Sequence, residues 1–267
     1  MRISLNTSKW YQNVWAAMIF FTRLPFWRLY QPPHDSYKAV VEFWPLTGWL
    51  TAACMAGTLY VGSMVFPLPL AIVLAIVARV LLTGALHEDG LADFIDGFGG
   101  GGQRDRILAI MKDSHIGTYG VLGLIAYAAL LFWSLYALGD AQLCALAIIA
   151  ADPYSKMLSG QLIQMMPYAR REEEAKNKVV YRKVSIPSSI LLALQGLLPA
   201  LTVMFFTPLG SIVRWELLIF VPCLVMYFLY MLIWRKLHGY TGDCCGAVCL
   251  LVELSVYLTM AATILKP

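Results

Sequence analysis

IGTYGVLGLIAYAALLFWSLYAL, residues 116–138, carries no charged side chain. A helix of that length, rising about 1.5 Å per residue, reaches across the roughly 30 Å hydrocarbon layer of a bilayer. Working outward, comparable apolar runs occupy residues 43–66, 68–86, 141–160, 186–206, 216–234 and 245–265. Composition agrees: 60% of the 267 residues are hydrophobic and only 13% are charged, with a mean hydropathy of +0.68. A water-soluble domain carries about 25% charge, so much of this surface must face lipid. Outer-membrane barrels are excluded, because their strands alternate apolar and polar residues over about ten positions. The expected fold is all-α: a polytopic integral membrane helical bundle of about seven transmembrane helices, one domain over residues 1–267. Residues 10–26, aromatic-rich, basic at both ends and interrupted by Arg23 and Pro25, are expected to add an N-terminal interfacial or re-entrant helix.

The short apolar run at residues 14–21 has no small-residue cleavage site after it, so no signal peptide is expected. Six cysteines form no C-x-x-C pair and read as small buried hydrophobes. Lys and Arg set the direction of insertion, since cytoplasmic loops collect them. With the N-terminus inside, the outer segments hold only Arg214 and Lys266. The net charge of +4 therefore follows from topology, with anionic lipid as a partner and no nucleic acid.

Between the second and third runs lies ALHEDGLADFIDGFGGGGQRDRILAIMKDSHIGTYG, residues 85–120. It gathers Glu88, Asp89, Asp93, Asp96, Asp105 and Asp113 in a chain with 16 acidic residues. Asp89, Asp93 and Asp96 recur at i, i+4, i+7, which is one face of a helix if the second span continues past the membrane. Three like charges on one face repel unless a cation lies among them, and hard oxygen ligands suit Mg²⁺. Glu88 is a fourth carboxylate, pointing elsewhere on that helix. The alternative role for the cluster is an acidic cap held by Arg104, Arg106 and Lys112. The glycine run 99–102 lacks the preceding strand of a dinucleotide-binding turn; it is either a backbone approach to phosphate or a hinge. Lys112, Asp113 and Ser114, followed by Gly117 and Thr118 at a helix start, suit an anion.

A second inner segment, His238 to Asp243, precedes the last span and faces the same compartment. There Asp243 is either a metal ligand or proton acceptor, or the N-cap of the last helix. Arg170 and Arg171, after the fourth span, are candidate phosphate clamps. Inside the spans, Arg79, Asp152, Lys156 and Glu253 are expensive in lipid. Asp152 and Lys156 are i, i+4, and an Arg79–Glu253 pair is geometrically allowed.

Clustered carboxylates beside Arg and Lys fit phosphoryl transfer. The blocks His87-Glu88-Asp89-Gly90-Leu91-Ala92-Asp93 with Asp96-Gly97, Met111-Lys112-Asp113-Ser114 with Gly117-Thr118, Tyr168-Ala169-Arg170, and Thr241-Gly242-Asp243 resemble the adenosylcobinamide-GDP ribazoletransferase (cobalamin synthase) family. Phe21-Thr22-Arg23-Leu24-Pro25 resembles its N-terminal signature. The resemblance implies a catalytic domain in the bacterial inner membrane, Mg²⁺-dependent, with its active site on the cytoplasmic face. Such an enzyme joins adenosylcobinamide-GDP to α-ribazole or α-ribazole 5′-phosphate and releases GMP. By matching position, Asp89, Asp93 and Asp96, with Glu88 beside them, would hold metal. His87 or Asp243 would act as base. Arg104, Lys112, Asp113, Ser114, Gly117, Thr118, Arg170, Tyr240 and Thr241 would contact substrate. His115 and His238 depart from the family pattern, and the oligomeric state, a homo-oligomer included, stays open. Two rivals are a CDP-alcohol phosphotransferase, suggested by Asp93-x-x-Asp96-Gly97, and a non-enzymatic transporter using Arg79, Asp152 and Glu253.

Overall fold

The computed structural model describes residues 9–170 and 179–264. Among them there is no strand, and twelve α-helices follow one another: α1 Trp10–Phe21, α2 Trp44–Ser63, α3 Leu68–Thr83, α4 Leu86–Gly100, α5 Arg104–Lys112, α6 Thr118–Tyr136, α7 Ala141–Gly160, α8 Leu162–Met165, α9 Ile186–Phe206, α10 Leu209–Ile212, α11 Trp215–Leu237 and α12 Gly242–Thr263. A 3₁₀ stretch, His34–Phe43, leads into α2. The all-α multi-pass bundle expected from hydropathy is therefore the observed architecture.

The count of spans differs from seven. Among the described residues, five helices are long and apolar enough to cross a membrane, and six if α3 and α4 are taken as one bent span. Helix α7 lies inside the bundle and buries Asp152, Ser155, Lys156 and Ser159. A helix covered by protein can carry polar residues that lipid would not accept. At the other extreme, α9 and α11 leave Phe205, Phe206, Ile219 and Phe228 exposed, a surface suited only to hydrocarbon. Helix α12 is the axis, packed against α4, α7 and α11.

The second apolar run does not continue straight into the acidic segment. Gly84 at φ 65° and Ala85 at φ 56° form two successive left-handed residues, a conformation that ends a right-handed helix. Beyond them α4 departs at 91° from α3. At the N-terminus, α1 has 12 residues, about 18 Å and too short to cross. It buries Ala16, Ala17 and Phe21 and leaves Trp10 exposed, as an interfacial helix does.

The charges inside the spans pair as the spacing suggested. Arg79 on α3 donates to Glu253 on α12 at 2.6 Å and to the Tyr127 hydroxyl on α6 at 2.8 Å. The Tyr257 hydroxyl also donates to Glu253, at 2.6 Å. Lys156 pairs with Asp152 on the same helix, and the Thr51 hydroxyl of α2 donates to Asp152 at 2.7 Å. Removing one member of a buried pair strands the other, at about 3–5 kcal/mol, whereas removing both is far milder. Arg79→Met or Glu253→Leu alone is thus expected to lower the Tm of detergent-purified protein sharply. The double variant should recover most of it, and equal Tm values for all three would refute the pairing as a stabilising contact.

Candidate active site

Two glycines let α4 and α12 cross almost backbone to backbone. A Cβ on Gly90 would lie 3.1 Å from the Asp243 carbonyl oxygen, and one on Gly246 would lie 3.4 Å from the His87 Cα. That crossing brings His87 and Asp89 on the first turn of α4 to the first turn of α12, where Asp243 sits. Thr241 is the N-cap of α12, its hydroxyl accepting the Cys244 N–H at 3.2 Å. The N-cap is therefore Thr241 and not Asp243, which lines a cavity.

The third segment arrives through a short backbone ladder. The Ala169 N–H donates to the Tyr240 carbonyl at 2.8 Å, and the Tyr240 N–H donates to the Pro167 carbonyl at 2.9 Å. This ladder docks the loop after α8 on the loop before α12 and delivers Arg170 to the same cavity. Tyr240, expected to contact substrate, is 2% exposed and serves instead as the buried joint. Burial raises both the Tyr168 and Tyr240 phenols above their usual range, so they stay neutral.

The cavity holds about 160 Å³. His87, Asp89, Arg170, Thr241 and Asp243 face it, joined by Phe21 and Trp44. The His87 ring lies parallel to both aromatics, 6° from Phe21 and 10° from Trp44, with centroids 6.2 and 5.7 Å away. Among the described residues the buried Nε2 of His87 and Nε1 of Trp44 have no hydrogen-bond partner, an arrangement that leaves them for a ligand or water. The aromatic wall was not legible as site; only Phe21 in the Phe-Thr-Arg-Leu-Pro block hinted at it.

Other candidates lie elsewhere. Asp96 is engaged by backbone: its two oxygens accept the Gly117 N–H at 2.7 Å and the Gly120 N–H at 2.8 Å. The anion expected at the start of α6 is thus the protein's own carboxylate, and Gly117 is occupied in holding it. Glu88 has one buried oxygen without a hydrogen bond among the described residues and adds to the negative field at Arg79. Asp93 is half-buried on α4. Among the described residues, no three His, Cys, Asp or Glu side chains group as a metal site. Part of the glycine run packs: a Cβ on Gly101 would lie 2.5 Å from the Ile107 side chain, whereas Gly102 faces open space.

Arg104 clamps α5 in place, donating to the Leu237 carbonyl at 3.0 Å and to the Ala169 carbonyl. Lys112, Asp113, Ser114 and Thr118 are exposed. His115 donates its N–H to Asp113 at 3.1 Å and, with its ring, holds that carboxyl below the usual carboxylate range. Arg104, Lys112 and Arg170 line a second, open groove of about 570 Å³, which shares Tyr168 and Arg170 with the cavity. The expected clamp residue Arg171 lies outside the described residues.

The donor set of the cavity, Asp89 and Asp243, suits a hard cation. Mg²⁺ is commonly held by one or two carboxylates and completes its shell with water and substrate phosphate.

Comparison with known proteins agrees with this convergence. Residues 13–261 match the family model described as cobalamin-5-phosphate synthase. A protein of Leptothrix cholodnii is 35% identical over 255 residues, 91% of this chain and 92% of its own. One of Pseudoalteromonas atlantica is 34% identical over 255 residues, 94% of this chain and 91% of its own. One of Leptospira interrogans is 32% identical over 246 residues, 91% of this chain and 92% of its own. All three bear the name adenosylcobinamide-GDP ribazoletransferase. No solved structure matches the chain. With the match running through every segment that lines the cavity, the chain belongs to the cobalamin-5-phosphate synthase family.

Proposed function

We propose that the protein joins adenosylcobinamide-GDP to α-ribazole, or to α-ribazole 5′-phosphate, and releases GMP, working at the cytoplasmic face of a bacterial inner membrane. The observation that carries this reading is that His87, Asp89, Arg170 and Asp243, from three separate segments of the chain, line one cavity. The names of the relatives supply the substrates, and the distribution of Lys and Arg supports the orientation.

In the reaction, a ribose hydroxyl oxygen bonds to the cobinamide-side phosphorus while the bond from that phosphorus to the bridging oxygen breaks. GMP leaves with the bridging oxygen. His87 takes the hydroxyl proton on Nε2, the buried atom for which the described residues provide no partner. The Phe21 and Trp44 rings hold the imidazole plane, so the base meets the hydroxyl without reorientation. Arg170 offsets charge on the departing oxygen. Asp89 and Asp243 would hold Mg²⁺, which when bound neutralises charge on the diphosphate.

Purified protein in liposomes is expected to form a cobalamin and GMP from the two substrates. His87→Ala should lower kcat by about 10²–10⁴-fold, the usual contribution of a general base. Asp89→Asn and Asp243→Asn should lose turnover with an unchanged Tm. Asp96→Asn should do the reverse, keeping the chemistry but losing about 1–3 kcal/mol of stability, since the amide puts an NH₂ donor opposite one of the two N–H groups that the carboxylate now accepts. Chelation should arrest turnover and added Mg²⁺ restore it; undiminished turnover in excess chelator would remove the metal, and solute uptake without product would favour a transporter.

A further inference from the structure

The groove beside the cavity has its own chemical layout. On α5, Asp105, Leu108, Ala109 and Lys112 recur at i, i+3, i+4, i+7 and form its floor, one stripe of a helix. Asp105 and Lys112 are separated by about 10 Å along the axis, comparable to the reach of an extended nucleotide from phosphate to base edge. Between them lie only the apolar Leu108 and Ala109.

The cations are not equivalent. Arg104 gives its Nε and one terminal nitrogen to carbonyls of the fold. Lys112 is exposed and makes no hydrogen bond or ion pair with the described residues. Arg170 donates one terminal nitrogen to the Leu108 carbonyl at 3.0 Å, while its buried Nε has no partner among the described residues. Asp105 touches Arg104 through one oxygen at 3.3 Å, and its side chain is 92% exposed. Each carboxylate oxygen offers two lone pairs, so the one near Arg104 and its neighbour can both still accept from a ligand.

We infer that this groove holds a nucleoside monophosphate, with the phosphate between Lys112 and Arg170 and Asp105 accepting adjacent N–H donors of a guanine. A carboxylate suits guanine, whose ring N–H and 2-amino group lie side by side, and rejects adenine, which lacks that pair. Arg170 lies in the wall of both the groove and the cavity. A diphosphate can therefore place one phosphorus in each, and the groove takes the leaving GMP. Only this last assignment rests on the proposed reaction; the alternative source of the same chemistry is the acceptor's own 5′-phosphate.

Full-length protein in nanodiscs should be titrated with GMP, AMP, guanosine and α-ribazole 5′-phosphate by calorimetry. Lys112→Ala is expected to weaken GMP about tenfold and leave guanosine unchanged, as loss of one charge-assisted contact does. Asp105→Asn should reduce the preference for GMP over AMP by about tenfold. Both side chains are exposed, so Tm should not move. If Lys112→Ala weakens only α-ribazole 5′-phosphate, the phosphate site stands with the acceptor as its source and the guanine assignment falls. If neither substitution changes any affinity, the groove is not a nucleotide site. Lys112-dependent GMP binding in a protein that forms no cobalamin would refute the proposed reaction and leave the groove; cobalamin formation with Lys112-independent GMP binding would refute only the groove.

Discussion

The close crossing of α4 over α12 is the contact on which the rest of the site depends. A Cβ at Gly90 would press on the Asp243 carbonyl oxygen at 3.1 Å, and one at Gly246 would touch the His87 backbone at 3.4 Å, so the two helices meet along their backbones. Both crossing points are the fifth residues of their helices, so the first turns, which carry His87, Asp89 and Asp243, lie side by side. His87 and Asp89 thereby meet Asp243, although more than half the chain separates them. Small residues at helix crossings are a general device in membrane bundles, where close backbone packing substitutes for a hydrophobic driving force.

That crossing is held from the apolar side by the Arg79–Glu253 pair with Tyr127 and Tyr257. The pair ties α3 to α12 below the break at Gly84 and Ala85, so α4 can leave at 91° without the two helices separating. In a low-dielectric interior such a pair is no general source of stability, but it tolerates no half-removal. It therefore specifies which helices are neighbours. The same logic applies to Asp152, Lys156 and Thr51 between α7 and α2. Ionisable groups at membrane depth invite a transport reading, and here each is satisfied by an identified partner within the bundle.

At the polar end the charges are sorted. Carboxylates Asp89 and Asp243 share the cavity with the guanidinium of Arg170, while Arg104 and Lys112 stand in the groove next to it. The proposed reaction on a diphosphate would use this division, with a place for a cation between carboxylates and phosphate, and fixed positive charge where the leaving group departs. The Tyr168–Tyr240 bridge, a single strand-like contact, keeps the two depressions adjacent by fixing the loop that carries Arg170.

Hydropathy was enough to establish the class of fold, because a run such as residues 116–138 has no other solvent it could face. Motif blocks were enough to indicate the family and the segments from which the site is built. The number of spans was not legible: α7 carries polar residues that reduce its hydropathy, and only packing shows that protein, not lipid, surrounds it. Nor was the division of labour among the carboxylates. Asp89 and Asp96 share one helix, yet one faces a cavity and the other caps α6. Helical spacing tells which residues share a face; what that face meets is decided by long-range contacts, here a left-handed break and a glycine crossing, that no local pattern encodes.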